Sequence, residues 1–126
     1  MVPLRTSAAS FQLPGVDSKT YSLESFSDKN VLVIIFMCNH CPYVKAVLQR
    51  LIALQAETAH QGVQLIGINS NDVDRYPDDS MENMQKITKE KGINFPYLLD
   101  VSQEMAKTYD AVCTPDIYVY GTERKL

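Results

Sequence analysis

The chain has 126 residues, 45% of them hydrophobic and 21% charged, with a formal net charge of −3 and a pI near 5.3. That length and balance describe one globular domain of ordinary soluble composition. They exclude a nucleic-acid partner, because no basic stripe breaks the acidic balance, and a membrane partner, because no apolar run nears the ~20 residues of a span.

Residues 1–10 read as a flexible terminus, and MVPLRTSAASFQL carries one arginine but no apolar signal core, so a cytoplasmic location is expected. Phe11–Leu13 and Thr20–Leu23 flank a turn-rich VDSK and predict a short hairpin or two edge strands. VLVIIF, residues 31–36, is a continuous β-branched run, as expected of a strand buried on both faces. From Pro42 to His60 the pattern becomes helical, with Val44, Val47, Leu48, Leu51, Ile52 and Gln55 on a 3.6 period and Gly62 as the stop. VQLIGIN, 63–69, predicts a second buried strand, followed by the polar loop SNDVDRYPDD. Asp79 with Glu82 has capping-box spacing for a helix through Lys91, ended by Gly92. YLLD reads as a short strand, and Asp100 with Gln103 repeats the capping-box spacing before a helix carrying Met105, Ala106 and Tyr109. VCTPD and the strand IYVY, 117–120, come last. Strands alternating with helices predict an α/β domain on a largely parallel sheet.

Three cysteines are too few, and odd in number, for a disulfide-stapled secreted fold. Two of them lie in FMCNHCPYVKA, residues 36–46, where Cys38 and Cys41 are separated by Asn39 and His40 and followed by Pro42. Structural zinc needs four ligands; His40, between the cysteines, is expected to point elsewhere on a helical turn, and only the distant Cys113 and His60 remain, so no metal is expected. Covalent haem needs histidine where Pro42 stands. Two packed, inert thiols suit a polar Asn-His spacer poorly. A redox dithiol suits it best. Cys38 falls where a strand gives way to a helix, and the unpaired amides and dipole there favour a thiolate. His40 adds a nearby donor or cation, and Pro42 fits a first helical turn.

FMCNHCPYVKA in a βαβ setting, with CTPD at 113–116 before a strand, resembles the thioredoxin-like superfamily. It is most similar to the redoxin branch grouped with AhpC/TSA and TlpA/ResA-type proteins, over residues 11–126. The resemblance implies a thioredoxin-like α/β fold, a central mixed and largely parallel sheet flanked by helices, with an N-terminal hairpin extension. It also implies a return strand and covering helix beyond the point where this sequence stops, so the expectation is either a truncated C-terminus or a sheet edge left unprotected. It carries over Cys38 as nucleophile, Cys41 as resolving thiol, Pro115 as the family's cis-proline and Thr114 as the residue whose backbone pairs with substrate. Partners would be protein or small-molecule disulfides and an external thiol reductant or oxidant, with no cofactor. Two positions depart from the pattern. Leu32 stands where thioredoxins bury a carboxylate, and Val44 where ResA-type proteins have a glutamate. Water, His40 or Asp116 are the candidates to take the Cys41 proton.

The expected activity is thiol-disulfide exchange, of the kind found in disulfide isomerases, which CNHC resembles at His40. The rivals are a peroxiredoxin-like antioxidant peroxidase and a non-catalytic binding domain. The peroxidase motif would place proline at Val31 and threonine at Ile35, and neither is present. Cys113 reads as a packed small residue or as a further resolving thiol. His60 reads as a helix-terminus contact, the acidic loop at 72–79 as solvated, and Tyr97, Tyr109, Tyr118, Tyr120, Met81 and Met84 as packing residues.

Overall fold

The computed structural model describes residues 11–37, 42–70, 80–100, 103, 105 and 116–121. Strand β1 (Gln12–Pro14) pairs antiparallel with β2 (Thr20–Ser22), giving the expected hairpin, and a 3-10 turn follows at Leu23–Phe26. The remaining strands are β3 (Val31–Phe36), β4 (Val63–Asn69), β5 (Tyr97–Leu99) and β6 (Asp116–Tyr120), in the order β5-β4-β3-β6. β3 runs parallel to β4, β4 parallel to β5, and β6 antiparallel to β3. Among the described residues the sheet is therefore mixed, with β6 antiparallel beside β3.

The pleat sorts β3 into two apolar faces. Leu32, Ile34 and Phe36 join Ile66, Ile68, Leu98, Tyr118 and Tyr120 on one face, covered by Phe11, Phe26 and Met105. Val33, Ile35 and Met37 join Leu65, Tyr97 and Leu99 on the other, covered by two helices. These are α1 (Pro42–Thr58), which contributes Leu48 and Leu51, and α2 (Met81–Lys91), which contributes the fully buried Met84. Tyr97, Tyr118 and Tyr120 are core residues as expected, and Phe36 meets Tyr118 edge to face at 5.9 Å. Tyr109 lies outside the described residues.

The helix ends follow local chemistry, with one correction. After α1 a 3-10 turn at Ala59–Gln61 leads into Gly62, which adopts φ 79°. The left-handed backbone there favours glycine, and a Cβ would also have to push aside the Asn30 side chain, whose Nδ2 would lie 2.5 Å away. Gly92 ends α2 in the same left-handed way, at φ 70°. The N-cap of α2 is not Asp79 but Ser80, whose Oγ accepts the Asn83 N–H at 3.3 Å. The serine stands immediately before the first helical residue, which is where a cap must be.

One side chain completes the sheet where a strand is missing. β5 pairs with β4 over Gly67–Asn69, and among the described residues no strand pairs with the first residues of β4 on that side. Gln55 of α1 takes the place of one: Nε2 donates to the Val63 carbonyl (3.0 Å) and Oε1 accepts the Leu65 N–H (2.7 Å). A side-chain amide has the same donor and acceptor as a peptide unit, so it can substitute for a strand locally.

Candidate active site

The carboxyl ends of β3, β4 and β5 and the amino end of β6 meet at one edge of the sheet, the place where open α/β sheets build their sites. The ladder ends there in register. Phe36 lies opposite Ile68 on one side and opposite Asp116 on the other, and Asn69 lies opposite Leu99. Met37 extends the β3 ladder by donating to the Ile68 carbonyl at 2.9 Å. Pro42 is the first residue of α1, a position where the missing N–H is harmless. Cys38, Asn39, His40, Cys41, Cys113, Thr114 and Pro115 lie outside the described residues. The two motifs that contain them adjoin described elements: 38–41 separates Met37 from α1, and 113–115 precedes Asp116.

The described part of the edge carries buried polar groups that sequence reasoning did not bring together. Asn69, fully buried, donates from Nδ2 to the Tyr97 hydroxyl at 3.2 Å. Ser70 Oγ donates to Asp100 Oδ2 at 2.7 Å, and the Met105 N–H donates to that same oxygen at 2.9 Å. The capping box expected from Asp100 and Gln103 does not form. The Asp100 N–H is used by the Asn69 carbonyl (2.8 Å), so Gln103 cannot reach back to it, and its Nε2 donates to the Ser70 carbonyl (2.8 Å) instead. The signal in the sequence is that the apolar runs of β4 and β5 end in polar residues, Asn69–Ser70 and Asp100.

Leu32 is fully buried among Ile34, Phe36 and Ile66, so no carboxylate occupies its place beneath the edge. A displaced titration lies instead in the hairpin. The Tyr21 hydroxyl donates to the Asp17 carboxylate, and that bond, with burial adding to it, pushes Tyr21 up to about 12. The two residues line a shallow groove with Val16, Ile93, Phe95 and Tyr97, toward the amino end of β5 and away from the candidate edge. His60 is exposed in the turn after α1.

Comparison with known proteins gives the family. The AhpC/TSA family model matches residues 4–126. A hypothetical protein from Sinorhizobium meliloti is 38% identical, with a TM-score of 0.97 over 100% of this chain and 69% of its own. An uncharacterized conserved protein from Geobacillus kaustophilus is 46% identical, with a TM-score of 0.96 over 99% of this chain and 67% of its own. The thioredoxin domain of a thiol-disulfide oxidoreductase from Bacteroides vulgatus shares the fold at a TM-score of 0.85 and 16% identity, over 99% of this chain and 86% of its own. No curated protein matches. A mixed sheet of this order, the family match over nearly the whole chain and relatives of 38% and 46% identity agree: the chain belongs to the AhpC/TSA family, in the redoxin branch of the thioredoxin-like superfamily.

Proposed function

We propose that this redoxin is a thiol-disulfide oxidoreductase working through Cys38 and Cys41. The observation that carries the reading is the pairing of Phe36 with Asp116 at the candidate edge. Cys38 follows Phe36 by two residues, and Pro115 immediately precedes Asp116, so covalent geometry alone limits how far apart the two motifs can lie. The start of α1 at Pro42 adds a helix N-terminus next to Cys41, the setting that favours a thiolate.

In the forward direction the Cys38 thiolate attacks one sulfur of a substrate disulfide. The substrate S–S bond breaks, one thiolate leaves, and a Cys38–substrate mixed disulfide forms. Cys41, losing its proton, then attacks the Cys38 sulfur and expels the second substrate thiolate. Two electrons have passed to the substrate, and Cys38–Cys41 is oxidised. An external dithiol resets it, or an oxidant does so in the reverse direction. Thr114 and Pro115 would align the substrate backbone.

A peroxidase reading draws on the family match, which names AhpC/TSA. Against it, Ile35 is fully buried in the apolar face under α1, where the peroxidase motif needs a threonine. Two assays on the same protein separate the readings. Insulin reduction in the presence of dithiothreitol should be accelerated, and Cys38→Ser should abolish the acceleration. Peroxide consumption without insulin reduction would favour the peroxidase, and inactivity in both would leave a binding domain.

A further inference from the structure

Asp100 closes β5 with a carboxylate only 1% exposed. Its Oδ2 accepts from Ser70 Oγ at the end of β4 and from the Met105 N–H, while its carbonyl accepts the Gln103 N–H at 3.1 Å. Gln103 in turn donates from its side chain to the Ser70 carbonyl. One buried carboxylate therefore joins the ends of two parallel strands to the first residues of the segment that runs on to β6. Starting a helix would require a cap and nothing more. The two ties back to Ser70 span 30 and 33 residues of sequence and do something else.

Gln103 makes its ties at φ 65°, in the left-handed region. A residue with a Cβ enters that region at a cost, and it stays there only where its surroundings over-determine it. Ser70 and Asp100 are each one residue past the last paired row, Asn69 opposite Leu99, so the knot lies on the edge where β6 begins.

We propose that Asp100, Ser70 and Gln103 form a positioning knot for the protein-substrate side of the edge. It anchors the amino end of the segment whose other end is Thr114–Pro115, while β3 and α1 carry the dithiol. The proposal rests on the disulfide-exchange reading. Asp100 acts through the segment and is a positioning residue. Loosening the knot should therefore weaken productive binding of an extended protein substrate without changing the thiol chemistry.

Three variants test this. Asp100→Ala removes the acceptor, Asp100→Asn retains a side-chain oxygen for both donors, and Gln103→Gly removes the tie to Ser70 while relieving the left-handed backbone. Each is assayed with insulin, with hydroxyethyl disulfide, by glutathione equilibration, and by hydrogen exchange at the amides of residues 103 and 105. Asp100→Ala and Gln103→Gly should raise the KM for insulin about tenfold, the scale of a sub-ångström misplacement. Their rates with the small disulfide and their reduction potentials should be unchanged, and Asp100→Asn should behave as wild type. Protection of the residue-103 and Met105 amides, which Asp100 accepts, should fall while that of β3 and α1 holds. Equal losses with both substrates, or an unchanged insulin KM, would overturn the proposal. If wild type reduces neither disulfide, the exchange reading fails. The knot is then judged by hydrogen exchange alone, and intact protection of the residue-103 and Met105 amides in Gln103→Gly refutes it.

Discussion

Replacing Gln55 by leucine keeps the volume of the side chain and removes the amide that stands in for a strand. Gln55 is itself only 5% exposed, and it serves two backbone groups of β4. The Leu65 N–H belongs to a fully buried residue, and without Gln55 Oε1 it would be a buried donor with no acceptor on that side. Such a loss costs about 1–3 kcal/mol. Val63 is only half-buried, so water can reach its carbonyl and the second loss is smaller. The expected destabilisation is about 2–3 kcal/mol, which for a domain of this length lowers Tm by roughly 10 °C. Urea unfolding with the thiols held reduced measures it directly. Gln55→Glu supplies an internal control. Its carboxylate can still accept from Leu65, but it opposes the Val63 carbonyl with a lone pair and buries a charge. It should be at least as damaging at neutral pH and recover in part once acid protonates it, because a protonated carboxyl donates as the amide did. A loss below about 0.5 kcal/mol in Gln55→Leu, the size of an ordinary surface change, would refute the reasoning.

Gly67→Ala should cost about 1–3 kcal/mol, since its Cβ would lie 2.9 Å from Met37 Sδ and 3.1 Å from the Tyr97 ring in a packed face; an unchanged urea midpoint would show that Met37 swings aside freely. Tyr21 should titrate at about 12, seen as an ultraviolet absorbance step that Tyr21→Phe deletes. Because folding raises this group from 10.0, its bond contributes below pH 10 and is lost as the pH rises toward 12, so alkaline stability should fall less steeply in the Phe variant. The reduction potential should lie at about −180 to −230 mV, above the roughly −270 mV of thioredoxin, and His40→Ala should lower it by about 30 mV. Equilibration with glutathione decides both values, and an identical potential in the variant would mean that the helix terminus alone sets the poise.

Much of this protein is legible residue by residue. The β-branched run 31–36 and the run 63–69 are strands with the bounds that their composition predicts, and Gly62 and Gly92 stop helices because a left-handed turn needs no partner beyond the local chain. The proposed dithiol rests on the same kind of local signal, the adjacent residues Cys38 to Pro42. Other features needed the packed chain. The sequence left the direction of β6 open, and its antiparallel pairing with β3 brings the start of β6 to the candidate edge. Gln55 reads as one more position on a helical stripe until β4 is seen to lack a neighbour beside Val63 and Leu65. Asp100 and Gln103 have the spacing of a capping box, yet the Asn69 carbonyl takes the Asp100 amide and Ser70 takes the glutamine. Periodicity, branching and turn chemistry act between near neighbours and can be read along the chain. A polar group's final partner is chosen among whatever the folded strands bring within about 3 Å, at any sequence separation, and only the tertiary structure makes that choice.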